Sequence, residues 1–485
     1  MTDTVLGDLL AGHAQILTAG AGALPVRGLT ADSRKVQPGF LFVCVPGTHV
    51  DGTRYIPQAL AAGAGAILME PTGTPPDLPA GVALAFTLDA RASLAHAAAR
   101  FYPRQPGTIA AVTGTAGKTS VAFFLRRIFE HTGARAAYLG TLGLVAPEGS
   151  TYGGLTSPDP VALHETLDRL AADGVTHMAL EASSHGLDQR RMDGVHLAAG
   201  GFTNLGRDHL DYHPTVEAYY RAKLRLFTEL LPDGAPAVAL LDAPYGATTL
   251  AYARTRGLPT SAIGPGGDLD IAGIRAEGVG QQIDFADGRT VRVPLMGRFQ
   301  ADNALLAAGL AIACGVPRDA ALQAMTILSG VPGRMERVGS DDSRPVFVDY
   351  AHKPEALATV LDTVRAAVPG RVIVVFGCGG DRDTGKRPLM GAIAADKADL
   401  VIVTDDNPRS EAPAAIRAEI LAAAPGAREI GDRAAAIRAG VDLMQAGDVL
   451  VVAGKGHETG QIIGDRTYPF SDGAAVLAAL GAQGS

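Results

Sequence analysis

The chain has 485 residues, of which 47% are hydrophobic and 19% are charged, and its formal net charge at neutral pH is −8. This length corresponds to about three domains of ordinary size. The acidic balance argues against a polybasic protein that binds nucleic acid or a membrane surface, and the composition excludes an intrinsically disordered chain.

The first 88 residues alternate short strands with turns that are rich in Gly and Pro. Residues 40–45 predict a strand, residues 59–64 a short helix, and residues 65–68 a further strand. Residues 101–106 contain two prolines and are typical of a linker. We predict a small α/β domain over residues 1–88.

After the linker, an apolar strand, a loop and a helical stretch follow one another repeatedly. This alternation predicts parallel sheets covered by helices, and therefore an α/β fold. A break near residues 331–333 predicts a central domain over residues 89–330 and a C-terminal domain over residues 331–485. The predicted strands are 109–112, 177–180, 237–241, 346–348, 372–376, 400–403 and 449–453.

Polar clusters follow most of these strands directly. In open α/β sheets, ligands bind beyond the carboxyl ends of the strands, so these clusters are where an active site is expected. The clusters are residues 113–119, 181–185, 349–352, 377–383, 405–409 and 454–458.

Residues 114–119 read Gly-Thr-Ala-Gly-Lys-Thr between a predicted strand and a predicted helix over residues 118–131, which would end at Gly133. Such a loop turns its backbone N–H groups toward phosphate oxygens, and the helix N-terminus adds positive potential. Lys118 can reach the terminal phosphates, and the Thr119 hydroxyl can ligate Mg²⁺. The general pattern has a glycine five positions before Gly117, but Val112 occupies that position, so the loop is a shortened variant. The alternative is a chance glycine-rich turn.

Three charged or titratable residues are candidates for the same chemistry. Glu181 directly follows a predicted strand and offers the oxygen ligands that Mg²⁺ prefers, whereas His209 is a less usual ligand. Each of the two, taken alone, is more often a structural polar residue. Lys223, taken alone, is more often a solvated helix lysine.

Neither cysteine chemistry nor a membrane span is expected. Cys44, Cys314 and Cys378 lie too far apart for a metal-binding spacing or a disulfide framework, as is usual in a reducing compartment. The first ten residues lack the features of a secretory signal. The longest apolar stretch, residues 304–316, is shorter than the roughly 20 residues that cross a bilayer, and it predicts a buried helix that follows Asn303. We therefore expect a cytoplasmic globular protein.

Several motifs in one order carry a resemblance that extends from about Asp32 to Asp472. Together they resemble the Mur ligase family, whose members join amino acids to a cell-wall precursor. The motifs are residues 114–119, 155–159, 181–189, 207–213, 349–352, 377–387, 406–409 and 454–458.

The resemblance implies an N-terminal domain that holds a uridine nucleotide, a central P-loop-type ATPase domain and a C-terminal Rossmann-like domain that admits an amino acid. It implies ATP-dependent addition of a diamino acid to UDP-N-acetylmuramoyl-L-alanyl-D-glutamate through an acyl phosphate, in peptidoglycan synthesis and thereby in cell shape and division. The implied cofactors are ATP, Mg²⁺ and a CO₂-derived carbamate on Lys223. A monomer without nucleic-acid or membrane partners is implied as well.

The resemblance also implies roles for individual residues. The catalytic residues would be Lys118, Glu181, His209 and Lys223. The Mg²⁺ ligands would be Thr119, Glu181, His209 and carbamylated Lys223. The ATP-binding residues would be Gly114, Thr115, Ala116, Gly117, Lys118, Thr119, Ser120, Asn303, Arg334, Asp349 and His352. The residues that hold the uridine nucleotide and the muramoyl dipeptide would be Ser33, Arg34, His49, Thr156, Ser157, Ser183, Gln189 and Arg191. The residues that hold the diamino acid would be Arg382, Asp406, Asn407, Arg409, Gly454 and Glu458.

The Asp-Asn-Pro-Arg sequence at residues 406–409 resembles the pattern for meso-diaminopimelate, since an arginine can bind the distal carboxylate in a bidentate manner. L-Lysine and L-ornithine stay open as alternatives. Three rival functions are a ligase similar to folylpolyglutamate synthase, a P-loop kinase that acts on a small molecule, and a nucleotide-dependent module without ligase chemistry.

Overall fold

A computed structural model of the chain describes residues 4–47, 51–71, 76–151 and 155–481. The chain divides into two compact units, Met1–Leu269 with Leu306–Ala321, and Asp270–Leu305 with Leu322–Ser485. The predicted α/β fold is confirmed, whereas the boundaries expected near residues 88 and 330 stay predictions. Within the described ranges, no helix is long and apolar enough to cross a membrane.

The first sheet has the strand order β1-β5-β4-β3-β2, with β1 antiparallel to β5 and the other pairs parallel. Its strands are β1 (Gln15–Ile16), β2 (Gly28–Thr30), β3 (Phe40–Val43), β4 (Ala66–Met69) and β5 (Ala83–Phe86). Its helices are α1 (Leu6–Leu10), α2 (Ile56–Ala61) and α3 (Ala90–Phe101), with 3₁₀ turns at Ala21–Ala23, Ser33–Lys35 and Gly52–Tyr55. Helix α2 begins earlier than predicted because Pro57 lies in its first turn. Proline is accepted there, since the N–H groups of a first turn have no hydrogen-bond partner within the helix.

The second sheet has eight strands among the described residues, in the order β13-β12-β11-β6-β10-β7-β8-β9. Its strands are β6 (Thr108–Thr113), β7 (Ala136–Gly140), β8 (Gly143–Ala146), β9 (Gly149–Thr151), β10 (His177–Glu181), β11 (Leu197–Phe202), β12 (Ala237–Leu240) and β13 (Thr260–Ile263). Its helices are α4 (Lys118–His131), α5 (Pro160–Ala172), α6 (Ser184–Asp188), α7 (Val216–Arg225) and α8 (Gly246–Thr255), and a π-helix (Leu226–Leu230) continues α7.

The position of β6 decides where the site of the first unit lies. It pairs in parallel with β10 on one side and with β11 on the other, so the carboxyl ends of the three strands meet at one edge. The sequence pattern did not predict β11, whose Gly200 and Gly201 weaken the strand signal. A Cβ on Gly201 would lie 2.7 Å from Leu310, so the glycine permits close packing of a helix on the sheet.

A three-stranded antiparallel sheet of β14 (Ile271–Glu277), β15 (Gly280–Phe285) and β16 (Thr290–Val293) comes next. It is followed by α9 (Arg298–Ala313), α10 (Arg318–Ala324) and a 3₁₀ turn at Met325–Ile327. The buried helix predicted over residues 304–316 is confirmed, but its bounds differ, because α9 begins at Arg298, includes Asn303 and ends at Ala313. The first turns of α9 contain polar residues, so a prediction based on the apolar run placed the start of the helix too late.

The last large sheet has the order β17-β18-β22-β19-β20-β21, parallel except for β17. Its strands are β17 (Glu336–Val338), β18 (Val346–Asp349), β19 (Val372–Phe376), β20 (Leu400–Val403), β21 (Arg428–Glu429) and β22 (Val449–Ala453), and β23 (Gly460–Ile463) pairs with β24 (Arg466–Pro469) as a hairpin. Its helices are α11 (Pro354–Ala367), α12 (Lys386–Lys397), α13 (Pro413–Leu421), α14 (Arg433–Asp442) and α15 (Asp472–Gly481). Three predicted strands, 372–376, 400–403 and 449–453, are confirmed at both ends because their apolar runs are buried on both faces.

Candidate active site

The loop after β6 has the predicted strand–loop–helix form. Gly114 and Gly117 have φ angles of 145° and 85°, which glycine adopts without strain, and α4 begins at Lys118. The helix ends at His131 and Gly133 follows with φ 91°, as predicted. The backbone N–H groups of the first turn of α4 are therefore available for an anion.

The segment that follows β11 holds this loop in place. Thr203 Oγ1 donates to the carbonyl of Ala116 at 2.6 Å, and the side-chain oxygen of Asn204 accepts from the Ala116 N–H at 3.1 Å. The Asn204 carbonyl accepts from the Thr115 N–H at 2.8 Å. The sequence reasoning missed Thr203 and Asn204, although polar residues directly after an apolar strand are a usable signal.

Two lysines donate to one carbonyl of the loop. Lys118 Nζ lies 3.0 Å from the carbonyl oxygen of Gly114, and Lys223 Nζ lies 2.7 Å from the same oxygen. Lys223 is only 1% exposed and lies 4.2 Å from the ring centre of Tyr219. Burial, followed by the charge of Lys118, lowers the pKa of Lys223 well below its usual value, and Asp208 opposes the shift. The interpretation of Lys223 as a solvated helix lysine is therefore wrong.

Glu181 ends β10 and is completely buried. Its Oε2 atom accepts from the hydroxyls of Thr119 at 3.1 Å and Thr141 at 3.2 Å. Its Oε1 atom accepts from the Thr141 N–H at 2.9 Å and from the Tyr138 hydroxyl. The sequence reasoning missed Tyr138 and Thr141. These donors hold the carboxylate beside the phosphate loop.

The donor set suits an Mg²⁺ ion that arrives with a nucleotide. In the described part of the chain, no group of three or more His, Cys, Asp or Glu residues could hold a metal by itself. Mg²⁺ commonly binds one or two protein oxygens together with substrate phosphates, and Thr119 with Glu181 provides such oxygens. The Thr119 hydroxyl donates its hydrogen to Glu181, so its lone pairs are directed away from that carboxylate.

His209 lies in the loop after β11 with a φ angle of 53°. Its ring centre is 4.8 Å from that of His185 and 6.0 Å from that of Tyr219. Tyr219 is also the ring beside Lys223. The structure thus brings the predicted residues Lys118, Thr119, Glu181 and Lys223 to one edge of the sheet, and it links His209 to them through Tyr219.

A band of polar residues leads away from Glu181. The Ser157 hydroxyl donates to the Glu181 carbonyl at 3.1 Å and lies 3.0 Å from the Ser183 hydroxyl. Thr156 joins the same network, because its hydroxyl is 3.1 Å from that of Thr141.

Two longer side chains continue the band. Arg191 donates to the Ser157 carbonyl at 2.7 Å and to Gln189 Oε1 at 2.7 Å. The five residues predicted to hold the muramoyl dipeptide are therefore one connected network.

A cavity of about 660 Å³ lies at the end of β2, and both Ser33 and Arg34 line it. Asp159, from the motif at residues 155–159, lines it as well. Arg34 donates two hydrogen bonds to Asp32 at 2.8 Å each and lowers the pKa of that carboxyl to about 2. His49, the other residue predicted for this site, lies outside the described residues.

A second cavity, of about 720 Å³, lies at the carboxyl ends of β18, β19, β20 and β22. All six residues predicted to hold the diamino acid line it, together with His352: Arg382, Asp406, Asn407, Arg409, Gly454 and Glu458. Arg409 has a φ angle of 51°, and its Nη1 atom donates to the Gly380 carbonyl at 2.7 Å. The guanidinium is thus held at the cavity by a backbone acceptor.

The remaining residues predicted for ATP also make defined contacts. The Asn303 amide donates to Gln300 at 3.2 Å, and Gln300 donates to the Arg334 carbonyl at 3.1 Å. The Arg334 guanidinium lies 4.4 Å from the ring centre of Tyr350. Asp349 accepts from two backbone N–H groups, at 2.7 and 2.8 Å, and its burial raises the pKa of its carboxyl.

Comparison with known proteins gives consistent matches along the chain. Residues 25–102 match the model described as "Mur ligase family, catalytic domain", residues 112–311 match "Mur ligase middle domain", and residues 333–456 match "Mur ligase, glutamate ligase domain". A UDP-N-acetylmuramoyl-L-alanyl-D-glutamate–2,6-diaminopimelate ligase of Rhizobium meliloti (strain 1021) is 56% identical over 471 residues, 96% of each chain.

Two solved structures are also similar. One, of a UDP-N-acetylmuramoyl-L-alanyl-D-glutamate–2,6-diaminopimelate ligase, has a TM-score of 0.73 at 34% identity and covers 97% of each chain. A Mycobacterium tuberculosis folylpolyglutamate synthase complexed with ADP and AMPPCP has a TM-score of 0.61 at 18% identity, covering 80% of this chain and 94% of that one. The second likeness concerns the fold alone.

Proposed function

The chain belongs to the Mur ligase family, and we propose on that basis that it joins meso-diaminopimelate to UDP-N-acetylmuramoyl-L-alanyl-D-glutamate at the expense of ATP. The observation that carries the proposal is the cavity of about 720 Å³, into which Asn407, Arg409 and Glu458 converge. A bidentate arginine suits a distal carboxylate, and a glutamate suits a distal ammonium. The 56% identical relative is a ligase for the same two substrates.

The reaction needs an activated carboxyl group. The side-chain carboxylate of the D-glutamate attacks the γ-phosphate of ATP and forms an acyl phosphate with release of ADP. An amine of the diamino acid then attacks the acyl carbon, the amide bond forms, and inorganic phosphate leaves. Both partners of the first step are anions and repel each other. Positive charge beside the γ-phosphate offsets this repulsion and thereby raises the rate.

Lys118 provides that charge, and the N-terminus of α4 adds to it. In the structure, Lys118 donates to the carbonyls of Gly114 and Thr115, both at 3.0 Å. A phosphate is a stronger acceptor than a carbonyl, so the ammonium turns toward ATP when the nucleotide binds. The ATP contacts expected of Asn303, Arg334, Asp349 and His352 stay predictions.

Thr119, Glu181 and His209 are the proposed holders of Mg²⁺, which offsets the negative charge of the phosphates when it is bound. Lys223 is the proposed site of a carbamate, because a carbamate forms on a neutral amine and the pKa of this buried lysine is lowered. A carbamate converts a group that repels cations into one that attracts them.

The polar band from Thr156 to Arg191 is proposed to orient the D-glutamate carboxylate. Its hydroxyl groups begin beside Glu181, where the phosphate loop ends. The cavity that contains Ser33 and Arg34 is proposed for the uridine nucleotide.

Phosphate release from ATP tests the proposal directly. The assay contains the uridine dipeptide substrate and, in separate arms, meso-diaminopimelate, L-lysine or L-ornithine. We expect rapid release with meso-diaminopimelate only, together with a product that contains both substrates by mass spectrometry. Phosphate release that is independent of any amino acid would instead support a nucleotide-dependent module, and release with folate and glutamate would support the folylpolyglutamate synthase alternative.

A further inference from the structure

Behind the wall of the 720 Å³ cavity lies a lysine to which the sequence reasoning gave no role. Lys455 is completely buried, and its ammonium lies 2.9 Å from Asn407 Oδ1 and 2.9 Å from Glu458 Oε2. The Asn407 amide nitrogen in turn donates to the same Glu458 oxygen at 2.8 Å. Asn407, Lys455 and Glu458 thus form a closed triangle of hydrogen bonds.

The orientation of the Asn407 amide follows from its neighbours. Its oxygen lies 2.9 Å from Lys455 Nζ and 2.9 Å from the backbone nitrogen of Ile462, and both of these groups are donors only. The oxygen must therefore face them, and the NH₂ group must face Glu458. Among the described residues, the second N–H of that group has no protein acceptor, so it is available to a ligand in the cavity.

Glu458 is oriented by the same contacts. Its Oε2 atom accepts from both Lys455 and Asn407, and its side chain remains 32% exposed. Within the described part of the chain, Oε1 has no donor. The cavity therefore presents one open acceptor from Glu458 and one open donor from Asn407 close together.

Lys455 also changes the charge balance of the cavity. Four cationic and four acidic side chains line the cavity, so the lining is formally neutral, and the buried ammonium behind it adds one positive charge. The free end of meso-diaminopimelate carries one ammonium and one carboxylate and is neutral as a whole. The free end of L-lysine carries an ammonium alone, which a positive site disfavours.

We propose that Lys455 is a positioning residue that makes this cavity select an amino acid whose distal end is a zwitterion. It directs an Asn407 N–H to the distal carboxylate, leaves Glu458 Oε1 for the distal ammonium, and adds the charge that disfavours a lone ammonium. This inference rests on the proposed function, since it concerns the amino acid that the ligase adds.

The test compares Lys455→Met with wild type by phosphate release, with meso-diaminopimelate and L-lysine as separate substrates. We expect kcat/KM for meso-diaminopimelate to fall about 10- to 100-fold, as for a lost hydrogen bond to a charged group. The preference for meso-diaminopimelate over L-lysine should fall at least about tenfold, while KM for ATP stays unchanged. Lys397→Met is the matched control, because Lys397 pairs with Asp362 at the surface and should leave all constants unchanged.

An equal loss with both amino acids, or a parallel change in KM for ATP, would overturn the proposal, because a purely structural role predicts that pattern. Unchanged constants in Lys455→Met would overturn it too. Wild-type enzyme that releases no phosphate with meso-diaminopimelate would instead contradict the proposed function, so the two failures are distinguishable.

Lys455→Met leaves Glu458 without its counter-charge and could fail to fold. The double variant Lys455→Met/Glu458→Gln removes both charges, and we expect it to recover the melting temperature but not the preference for meso-diaminopimelate. A crystal structure of the wild-type chain with meso-diaminopimelate tests the placement of the distal end without any variant. The distal carboxylate should accept from Asn407 Nδ2, and the distal ammonium should donate to Glu458 Oε1. A distal carboxylate bound away from Asn407, or a distal ammonium bound away from Glu458, would refute the proposal.

Discussion

Lys223 and Lys118 direct their ammonium groups at one backbone carbonyl, that of Gly114, from 2.7 and 3.0 Å. Burial of Lys223 disfavours its charged form most, and repulsion from the like charge of Lys118 adds to this effect. The pKa of Lys223 is accordingly far below its usual value. This arrangement makes the phosphate loop sensitive to the charge on either lysine.

Lys118→Ala should abolish turnover, which means that the rate of phosphate release falls by at least about 100-fold. The reason is that no other side chain of the loop offsets the charge of the γ-phosphate. The same substitution removes the repulsion on Lys223, so the pKa of Lys223 should rise. Phosphate release and an NMR titration of labelled lysines measure the two effects. Turnover close to wild type would remove the role assigned to Lys118, and Lys397→Ala provides the control.

Lys223→Ala should be impaired by about 100-fold or more, since it removes the amine that carries the proposed carbamate. Small carboxylates such as acetate or propionate should restore part of the activity by supplying an anion in the vacated space. Mass spectrometry of the wild-type protein with CO₂ and Mg²⁺ should detect the added carboxyl group. An unmodified Lys223 in an active enzyme would contradict the carbamate.

Lys223→Met should stabilise the fold near neutral pH, although it inactivates the enzyme. Between the lowered pKa of Lys223 and its usual value of 10.5, the unfolded chain binds one more proton at this position than the folded chain. The wild-type free energy of unfolding therefore rises with pH through this window, and the variant lacks that slope. Urea unfolding in CO₂-free buffer, at neutral and at mildly alkaline pH, measures the difference. A variant that is less stable at neutral pH would show that the contact of Lys223 with Gly114 outweighs the desolvation cost.

Arg409→Lys should lower kcat/KM for meso-diaminopimelate by about 10- to 100-fold, because a lysine keeps the charge but loses the planar, bidentate group. The effect on kcat/KM for L-lysine should be smaller, since that substrate has no distal carboxylate. Competition between the two amino acids in one assay gives the ratio directly. Equal losses of kcat/KM for the two amino acids would show that Arg409 does not recognise the distal carboxylate.

Gly333→Ala should destabilise the fold by several kcal/mol, about 3 or more. Gly333 has a φ angle of 65°, and a Cβ there would overlap the backbone nitrogen of His457 and atoms of Gly456. Gly133 is the matched control, because its φ angle is 91° and no atom lies within 4 Å of a Cβ placed there. Gly133→Ala should cost about 1–2 kcal/mol from the backbone angle alone. Similar melting temperatures for the two variants would contradict the close approach of these backbones.

The amino-acid sequence alone was sufficient to predict the α/β fold, three strands of the C-terminal sheet at both ends, and helix α4 from Lys118 to His131. It was also sufficient to predict the family, and the six residues proposed to hold the diamino acid all line one cavity. These features are encoded locally, because a buried strand is a continuous apolar run and a phosphate loop is a short contiguous motif.

The tertiary structure alone decided the environments of the charged groups. Lys223 resembles a solvated helix lysine in sequence, yet it is buried against Gly114, 109 residues earlier in the chain. Tyr138 and Thr141 hold Glu181 from a different strand and loop, and Lys455 orients Asn407 across 48 residues. The partners of a buried charge come from segments that are distant in sequence, and no local pattern of residues specifies which of them will meet.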